Sequence, residues 1–257
     1  MKLSAIINVL ENEFPPALAE EWDNVGLLVG DTDAEITKVL VSLDVTDQAV
    51  ARAEEIGAEL ILTHHPLIFR PLARVTEQDF ISRRIRRMIK ADINYYAMHT
   101  NFDLARMADL NAADLGLIAP QILTESSHPG FGYGRIGSLA SPETLRAFAE
   151  RVRVQANLPG IRVYGDPDAV VRTAAVSSGA GKMSIPDALR KGADVLVTGD
   201  LDYHSAIDAV AQGLMMIDAG HYGTEFTYIR YMEGFVRERF PGVAVCAMGV
   251  EQPYSVL

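Results

Sequence analysis

The stretch that decides the fold is KVLVSLDVTDQAVARAEEIGAELILTHHPLIF, residues 38 to 69. The apolar run KVLVSLD is followed by the helical spacing of TDQAVARAEEIGA and then by a second run, ELILTHHPLIF. Two short apolar runs on either side of a helical pattern predict a β-α-β unit. His64 and His65 follow the second strand, at the edge where open α/β sheets bind ligands.

The same order of elements continues downstream. A helix is predicted over roughly Phe80 to Lys90, and the strand after it, INYYAMHTNFD, ends on His99 and Asp103. Polar side chains that can bind a ligand thus follow two successive strands. We expect them to lie at one edge of one sheet.

The second half of the chain repeats this pattern. TAAVSSGAG, IPDALRKGA and ADVLVTGDLDYH again read as strand, helix and strand, and Ser177 lies 135 residues after Ser42. DAGHYGTE then supplies His221 and Glu225, four apart like the histidine and aspartate of HTNFD. These matches favour an internal duplication of one α/β unit, although repeats of this kind also resemble each other for packing reasons alone.

Composition narrows the class of protein. The 257 residues are 49% apolar, and 34 Asp and Glu against 23 Lys and Arg give a formal net charge of -11. Such a charge repels phosphate backbones, so nucleic acid is not expected as the main partner. Cys246 is the only cysteine, which favours a cytoplasmic location and restricts any metal site to nitrogen and oxygen ligands. The sequence shows no signal-peptide block and no membrane-spanning apolar run.

The histidines and carboxylates together indicate a dinuclear metal site. A histidine and a carboxylate four apart lie on one face of a helical turn, so both can reach one ion. Adjacent histidines on a strand point to opposite sides, which suits two neighbouring metals. Asp103 and Glu225 are the carboxylates available to bridge them.

Imidazole and carboxylate ligands without a thiolate suit zinc, manganese or iron and do not select among them. A pair of such ions with open positions would hold a water of lowered pKa, which is hydrolase chemistry. The alternative for any single histidine is that it caps or packs locally.

EEWDNVGLLVGD, LTHHPLIF, MHTNFD, SSGAG, TGDLDYH and DAGHYGTE occur in the order seen in the Nif-three-like family. Over essentially its whole length the chain resembles these dinuclear metal-binding proteins, often labelled GTP cyclohydrolase I type 2 homologues. The resemblance implies two similar α/β domains with the metals in the cleft between them, and commonly a hexameric ring. The ligands that it implies are His64, His65, Asp103, His221 and Glu225.

The resemblance leaves the function open between two classes. The first is a metal-dependent hydrolase acting on a nucleotide-like or other small phosphorylated substrate, for which the family label implies opening of the GTP purine ring. The second is a non-enzymatic metal-binding regulatory or scaffold protein. His99 and His204 belong to family-like motifs outside the five ligands, and each is expected either to assist from beside the site, as a proton carrier or hydrogen-bond donor, or to be structural.

The segment SSHPGFGYGRIG, 126 to 137, concentrates Gly, Pro and Ser and is the predicted domain junction. We expect a first α/β domain over 1–127, joined by the C-terminal segment 226–257, and a second over 128–225.

Four further motifs have alternative interpretations. GYGRIG fits a dinucleotide-binding pattern but no predicted strand precedes it, so that function is not expected. GAGK at 179 to 182 is interpreted as a tight turn, with phosphate binding as the alternative. Asp23 and Asn24 either line the metal site or close an Asx turn. The aromatic residues of TEFTYIRYMEGFVRERF are expected to pack or to make oligomer contacts rather than to stack on bases.

Overall fold

The structure is a computed structural model that describes residues 1 to 249 and Tyr254. The chain forms two compact units, of which the first is Met1–Ala105 with Tyr228–Gly249 and the second contains Arg106–Thr227. Each unit has one sheet with helices packed on it, which confirms the predicted α/β class. Within the described residues, no helix combines the length and the apolar character that crossing a membrane requires.

The strands are β1 (Gly26–Val29), β2 (Lys38–Ser42), β3 (Leu60–Thr63), β4 (Asn94–Ala97), β5 (Ile118–Glu125), β6 (Gly132–Thr144), β7 (Arg162–Tyr164), β8 (Val170–Val176), β9 (Val195–Thr198), β10 (Met215–Asp218) and β11 (Ala244–Ala247). The helices are α1 (Leu3–Glu13), α2 (Asp47–Ile56), α3 (Phe80–Lys90), α4 (Thr100–Phe102), α5 (Ala108–Asp114), α6 (Leu145–Gln155), α7 (Ile185–Arg190), α8 (Tyr203–Ala211), α9 (Gly220–Glu225) and α10 (Thr227–Arg239). A π-helix spans Asp103–Met107, and 3₁₀ turns span Pro16–Leu18 and Gly181–Ser184.

The predicted β-α-β unit is confirmed, and its local sequence explains its boundaries. Helix α2 begins after Thr46, whose side chain accepts a hydrogen bond from the amide of Ala49. It ends at Gly57, where φ is 63° in the left-handed region that glycine adopts without strain. Strands β2 and β3 pair in parallel, so both carboxyl ends lie at the same edge of the sheet.

The sheet of the first unit has the order β1-β4-β3-β2-β11. Strands β2, β3 and β4 are parallel, and β1 lies antiparallel at the edge next to β4. Every residue of β3 and β4 is buried, as expected for central strands with both faces covered.

Helix α10 supplies aromatic side chains to the core of the first unit. The ring of Tyr228 is fully buried 4.8 Å from that of Phe102, and Phe235 lies 5.4 Å from Phe14. These residues therefore pack, as predicted, and offer no open face to a base.

The second unit repeats the strand arrangement of the first. Its sheet has the order β5-β6-β8-β9-β10-β7, in which β8, β9 and β10 are parallel and β7 lies antiparallel at the edge next to β10. The series β7-β10-β9-β8 thus matches β1-β4-β3-β2. A shared order with one antiparallel edge strand is what an internal duplication predicts.

The segment 126 to 137 is the turn and second strand of a β-hairpin. Strands β5 and β6 pair in antiparallel fashion, so this segment lies inside the second unit, whereas the sequence placed a domain junction there. A Cβ at Gly132 would lie 2.4 Å from the carbonyl oxygen of Thr124, and one at Gly134 would lie 2.4 Å from that of Val176. The absence of side chains at these glycines lets the neighbouring strands approach closely. GYGRIG is part of strand β6 and does not form a dinucleotide-binding loop.

The boundary between the two units also lies earlier in the sequence than the predicted domain boundary. The first unit ends at Ala105 rather than at residue 127, because β5 and β6 pair with the second sheet. Residues Tyr228 to Gly249 belong to the first unit, while residues 250–253 and 255–257 lie outside the described part of the chain.

Candidate metal centre

His64 is buried directly after β3, with a defined tautomer. Its Nδ1 lies 2.9 Å from the carbonyl oxygen of Met98, and because a carbonyl only accepts, Nδ1 donates the hydrogen bond. In a neutral imidazole the other nitrogen then carries a lone pair. That nitrogen, Nε2, lies 3.5 Å from Oδ1 of Asp103.

His65 is oriented by a carboxylate from the neighbouring strand end. Its Nδ1 donates to Oδ1 of Asp44, which follows β2, at 3.0 Å. The backbone here is also fixed, because the hydroxyl of buried Tyr95 donates to the His65 carbonyl oxygen at 2.9 Å. Burial raises the pKa of Tyr95 above its usual value, so this donor keeps its proton. Nε2 of His65 is then the ring nitrogen that could bind a metal ion.

His99 joins the same cluster. Its ligand nitrogen and those of His64 and His65 all lie within 4.8 Å of one another, so these imidazoles could hold a metal ion. Nδ1 of His99 donates to Oδ1 of Asp23 at 2.9 Å. The buried Asp23 also accepts from the amide and hydroxyl of Thr100, at 3.0 and 2.5 Å.

The electrostatics of Asp23 keep it ionised. Burial opposes its charge, but the hydrogen bonds from His99 and Thr100 outweigh burial and lower the pKa of Asp23 to about 2. The contact with His99 places this carboxylate beside the candidate metal-binding cluster. Asp23 also accepts from the amide of Asn24 at 2.8 Å, so a local turn contributes as well.

Asp103 is placed by an irregular helix. It begins the π-helix Asp103–Met107, and its amide donates to the carbonyl oxygen of His99 at 3.0 Å. The two residues are therefore one helical turn apart, as their spacing predicts, yet the Asp103 side chain lies beside His64. Single-turn π-helices are frequently found at functional sites.

The second unit presents a matching pair on α9. Nδ1 of His221 donates to Oδ2 of Asp200 at 2.8 Å, and Nε2 of His221 lies 3.2 Å from Oε2 of Glu225. The side chain of Glu225 is only 6% exposed. Histidine and glutamate thus share one face of a helical turn, as the four-residue spacing predicts.

The SSGAG loop supports this pair. The amide of Gly179 donates to the Thr224 hydroxyl and that of Gly181 to the Thr198 hydroxyl, both at 2.9 Å. These amides are used inside the fold, which favours the tight turn over phosphate binding. A Cβ at Gly179 would lie 2.6 Å from Oε1 of Glu225, so glycine makes room for the carboxylate.

Sequence reasoning missed the carboxylates that orient the histidines. Asp44 and His65 are separated by 21 residues, and so are Asp200 and His221. An equal spacing of aspartate and histidine across two β-α-β units was the available signal. Of these outer carboxylates, the sequence singled out Asp23 alone.

His204 lies apart from these clusters. It is exposed on the first turn of α8, with its ring 5.4 Å from that of Tyr203. It belongs to no group of three or more ligand-capable side chains in the described part of the chain.

The donor set fits a divalent metal. In each unit an imidazole nitrogen with a lone pair and a carboxylate oxygen face each other, an arrangement that is favourable only with a cation or a proton between them. Outer carboxylates on the ligand imidazoles are the usual surroundings of zinc and related metals. The ligand types suit zinc, manganese or iron.

Comparison with known proteins gives consistent matches over the chain. Residues 1–253 match the sequence profile of the family described as Duf34/NIF3 (NGG1p interacting factor 3). A Clostridium perfringens protein named GTP cyclohydrolase 1 type 2 homolog is 36% identical over 245 residues, covering 93% of this chain and 92% of its own length. A Streptomyces coelicolor protein of the same name is 38% identical over 235 residues, covering 88% and 82%.

Solved structures match the fold as well. A Bacillus cereus protein related to NIF3 superimposes with a TM-score of 0.91 at 27% identity, covering 100% of this chain and 99% of its own. Reduced HcgD from Methanocaldococcus jannaschii superimposes with a TM-score of 0.82 at 31% identity, covering 96% and 97%.

Proposed function

The chain belongs to the Duf34/NIF3 family, and we propose that it is a metal-dependent hydrolase with a dinuclear centre. The observation that carries this proposal is the matched donor pair of the two units, in which an imidazole Nε2 faces a carboxylate oxygen at 3.5 Å and at 3.2 Å. The proposed ligands are His64, His65, Asp103, His221 and Glu225.

Divalent ions bound by these residues would supply Lewis acidity, which lowers the pKa of water and stabilises negative charge on a substrate oxygen. Residues of the chain orient the imidazoles that would bind these ions. Asp44 and Asp200 hold Nδ1 of His65 and His221, so that each Nε2 points away from its hydrogen-bonded carboxylate.

His99 is the proposed proton carrier. Its Nδ1 is committed to Asp23, so its Nε2 can accept a proton while the carboxylate stabilises the resulting imidazolium. The low pKa of Asp23 keeps that carboxylate charged through the whole neutral range. A histidine held in this way beside His64 and His65 can take a proton from water or return one to a leaving group.

The proposed substrate is a small nucleotide-like molecule rather than nucleic acid, because the net charge of -11 opposes a phosphate backbone. The name of the curated relatives makes GTP the first substrate to test. Ring opening at C8 of guanine consumes one water and leaves a formamide, and a second water releases formate. Both steps are hydrolyses of the kind proposed.

Elemental analysis and a turnover screen test the proposal together. We expect about two divalent ions per chain in protein purified without chelators, and release of formate or phosphate from a nucleotide or phosphoester. The variant Asp103→Ala should lose metal and turnover, whereas Asp168→Ala, at a side chain that is 79% exposed, should retain both.

Two results would contradict parts of this proposal. Fewer than about one ion per chain in the wild type would rule out a dinuclear centre. Retained metal without any turnover that depends on Asp103 would instead support the non-enzymatic metal-binding scaffold.

A further inference from the structure

We propose that Trp22 and Phe69 form an aromatic platform on which a planar heteroaromatic ring of the substrate, such as a purine base, stacks beside the histidine cluster. The platform extends the proposed hydrolase function by assigning a binding site for the substrate ring. It uses only residues of the first unit.

Both rings of the platform are exposed although they are large and apolar. Trp22 is 58% exposed and Phe69 is 45% exposed, and their centroids lie 5.8 Å apart at 56°. Trp22 is also the only tryptophan of the chain. Two large exposed aromatic rings that lie against each other form an apolar surface, which makes the pair a candidate binding surface.

The platform borders the candidate metal ligands. The ring of Trp22 lies edge-on to His99, with centroids 6.1 Å apart at 73°. His99 in turn lies 5.2 Å from His64 and 5.6 Å from His65, centroid to centroid. A ring stacked on this platform would therefore sit next to the imidazoles rather than on a remote surface.

The backbone beside each ring is held by buried or cross-loop hydrogen bonds. Asp23, adjacent to Trp22, is tied to Thr100 and His99, and the side-chain amide of Asn24 donates to the carbonyl oxygen of Ile68 at 2.5 Å. Ile68 immediately precedes Phe69, so this bond joins the two loops that carry the rings. The backbone that carries the two rings is thus held in place, which reduces the entropy lost when a ligand binds.

The size of the surface fits a single planar ring better than a protein partner. Aromatic side chains offer about 150 to 250 Å² each, so the exposed parts of two rings amount to roughly 200 Å². A stable protein interface needs about 800 Å² on each partner. Stacking on aromatic side chains instead needs only the face of one base.

The fluorescence of Trp22 gives a direct test. The metal-loaded protein is titrated with GMP, with AMP and with ribose 5-phosphate, which carries the sugar phosphate without a base. We expect GMP or AMP to quench the tryptophan emission and ribose 5-phosphate to leave it unchanged. Phe69→Ala should weaken binding of that nucleotide about five- to a hundredfold.

Variants of Trp22 and a matched aromatic control complete the experiment, with binding followed by calorimetry. Trp22→Ala should weaken nucleotide binding as Phe69→Ala does, and Trp22→Phe should retain most of it. Phe80→Ala removes an equally exposed ring, 52% exposed at the start of α3, and should leave the affinity unchanged. Metal content is measured in every variant and should equal that of the wild type.

Several outcomes would overturn the platform. These are no binding of either nucleotide to the wild type, equal quenching by ribose 5-phosphate, or unchanged nucleotide affinity in Phe69→Ala and Trp22→Ala. A change of oligomeric mass in Trp22→Ala at constant nucleotide affinity would assign the rings to a subunit contact. Failure of the hydrolase proposal is distinct, because it would appear as missing metal or missing turnover in the wild type.

Discussion

Asp200 accepts a hydrogen bond from Nδ1 of His221 at 2.8 Å, in the same way that Asp44 accepts one from His65. An imidazole fixed in this way presents its second nitrogen to a metal in one orientation and one tautomer. In the proposed metal centre, Asp44 and Asp200 would therefore influence how tightly His65 and His221 bind a metal, without binding it themselves.

Replacing Asp200 with alanine should weaken metal binding. The loss of an outer carboxylate typically lowers metal affinity about 10- to 100-fold, because the imidazole rotates and becomes less basic. Competition with a fluorescent chelator measures the affinity. Asp208→Ala, which removes an exposed carboxylate from α8, is the control, and equal affinity in both variants would disprove the role of Asp200.

Gly179→Ala should damage the site in addition to straining the backbone. The new Cβ would lie 2.6 Å from Oε1 of Glu225, and φ at this position is +60°. Gly57→Ala is the matched control, because its φ is +63° but nothing lies within 4 Å of its Cβ. We expect both variants to lose about 1 kcal/mol in urea unfolding from backbone strain, and only Gly179→Ala to lose metal affinity. Equal metal affinities would show that Glu225 does not need this space.

Asp23→Asn should lower the free energy of unfolding near neutral pH by about 2 kcal/mol. The pKa of Asp23 is depressed from 3.8 to about 2 in the folded protein, so its contribution is complete above 3.8 and is lost as pH falls toward about 2. Urea unfolding of the metal-free wild type and variant at several pH values measures the difference. A stability difference between wild type and Asp23→Asn that did not shrink as the pH falls toward about 2 would contradict this role of the Asp23 charge.

Tyr228→Phe should leave the protein as stable or make it more stable by about 1 kcal/mol. The hydroxyl is fully buried, and no hydrogen-bond partner for it occurs among the described residues. Its ring lies 5.3 Å from that of His64, and this packing survives the substitution. Thermal unfolding measures the effect. A clear loss of stability would instead reveal a buried water bound to the hydroxyl.

The ends of the strands that carry the candidate site could be predicted from the sequence, because apolar runs and helical spacing depend only on neighbouring residues. Helix α3, predicted over Phe80 to Lys90, has those bounds, and His221 and Glu225 share a helical turn as their spacing requires. The partners of the histidines could not be read in the same way, because Asp44 and Asp200 reach them only when parallel strands align. The composition of segment 126 to 137 does not distinguish a hairpin turn from a linker, because both favour Gly, Pro and Ser.

The matched strand orders of the two units have a consequence for the origin of the protein. An internal duplication of one such unit would place a histidine four residues before a carboxylate after the last parallel strand of each copy, as HTNFD and HYGTE do. The two segments share this four-residue spacing, and their acidic side chains differ in length by one methylene.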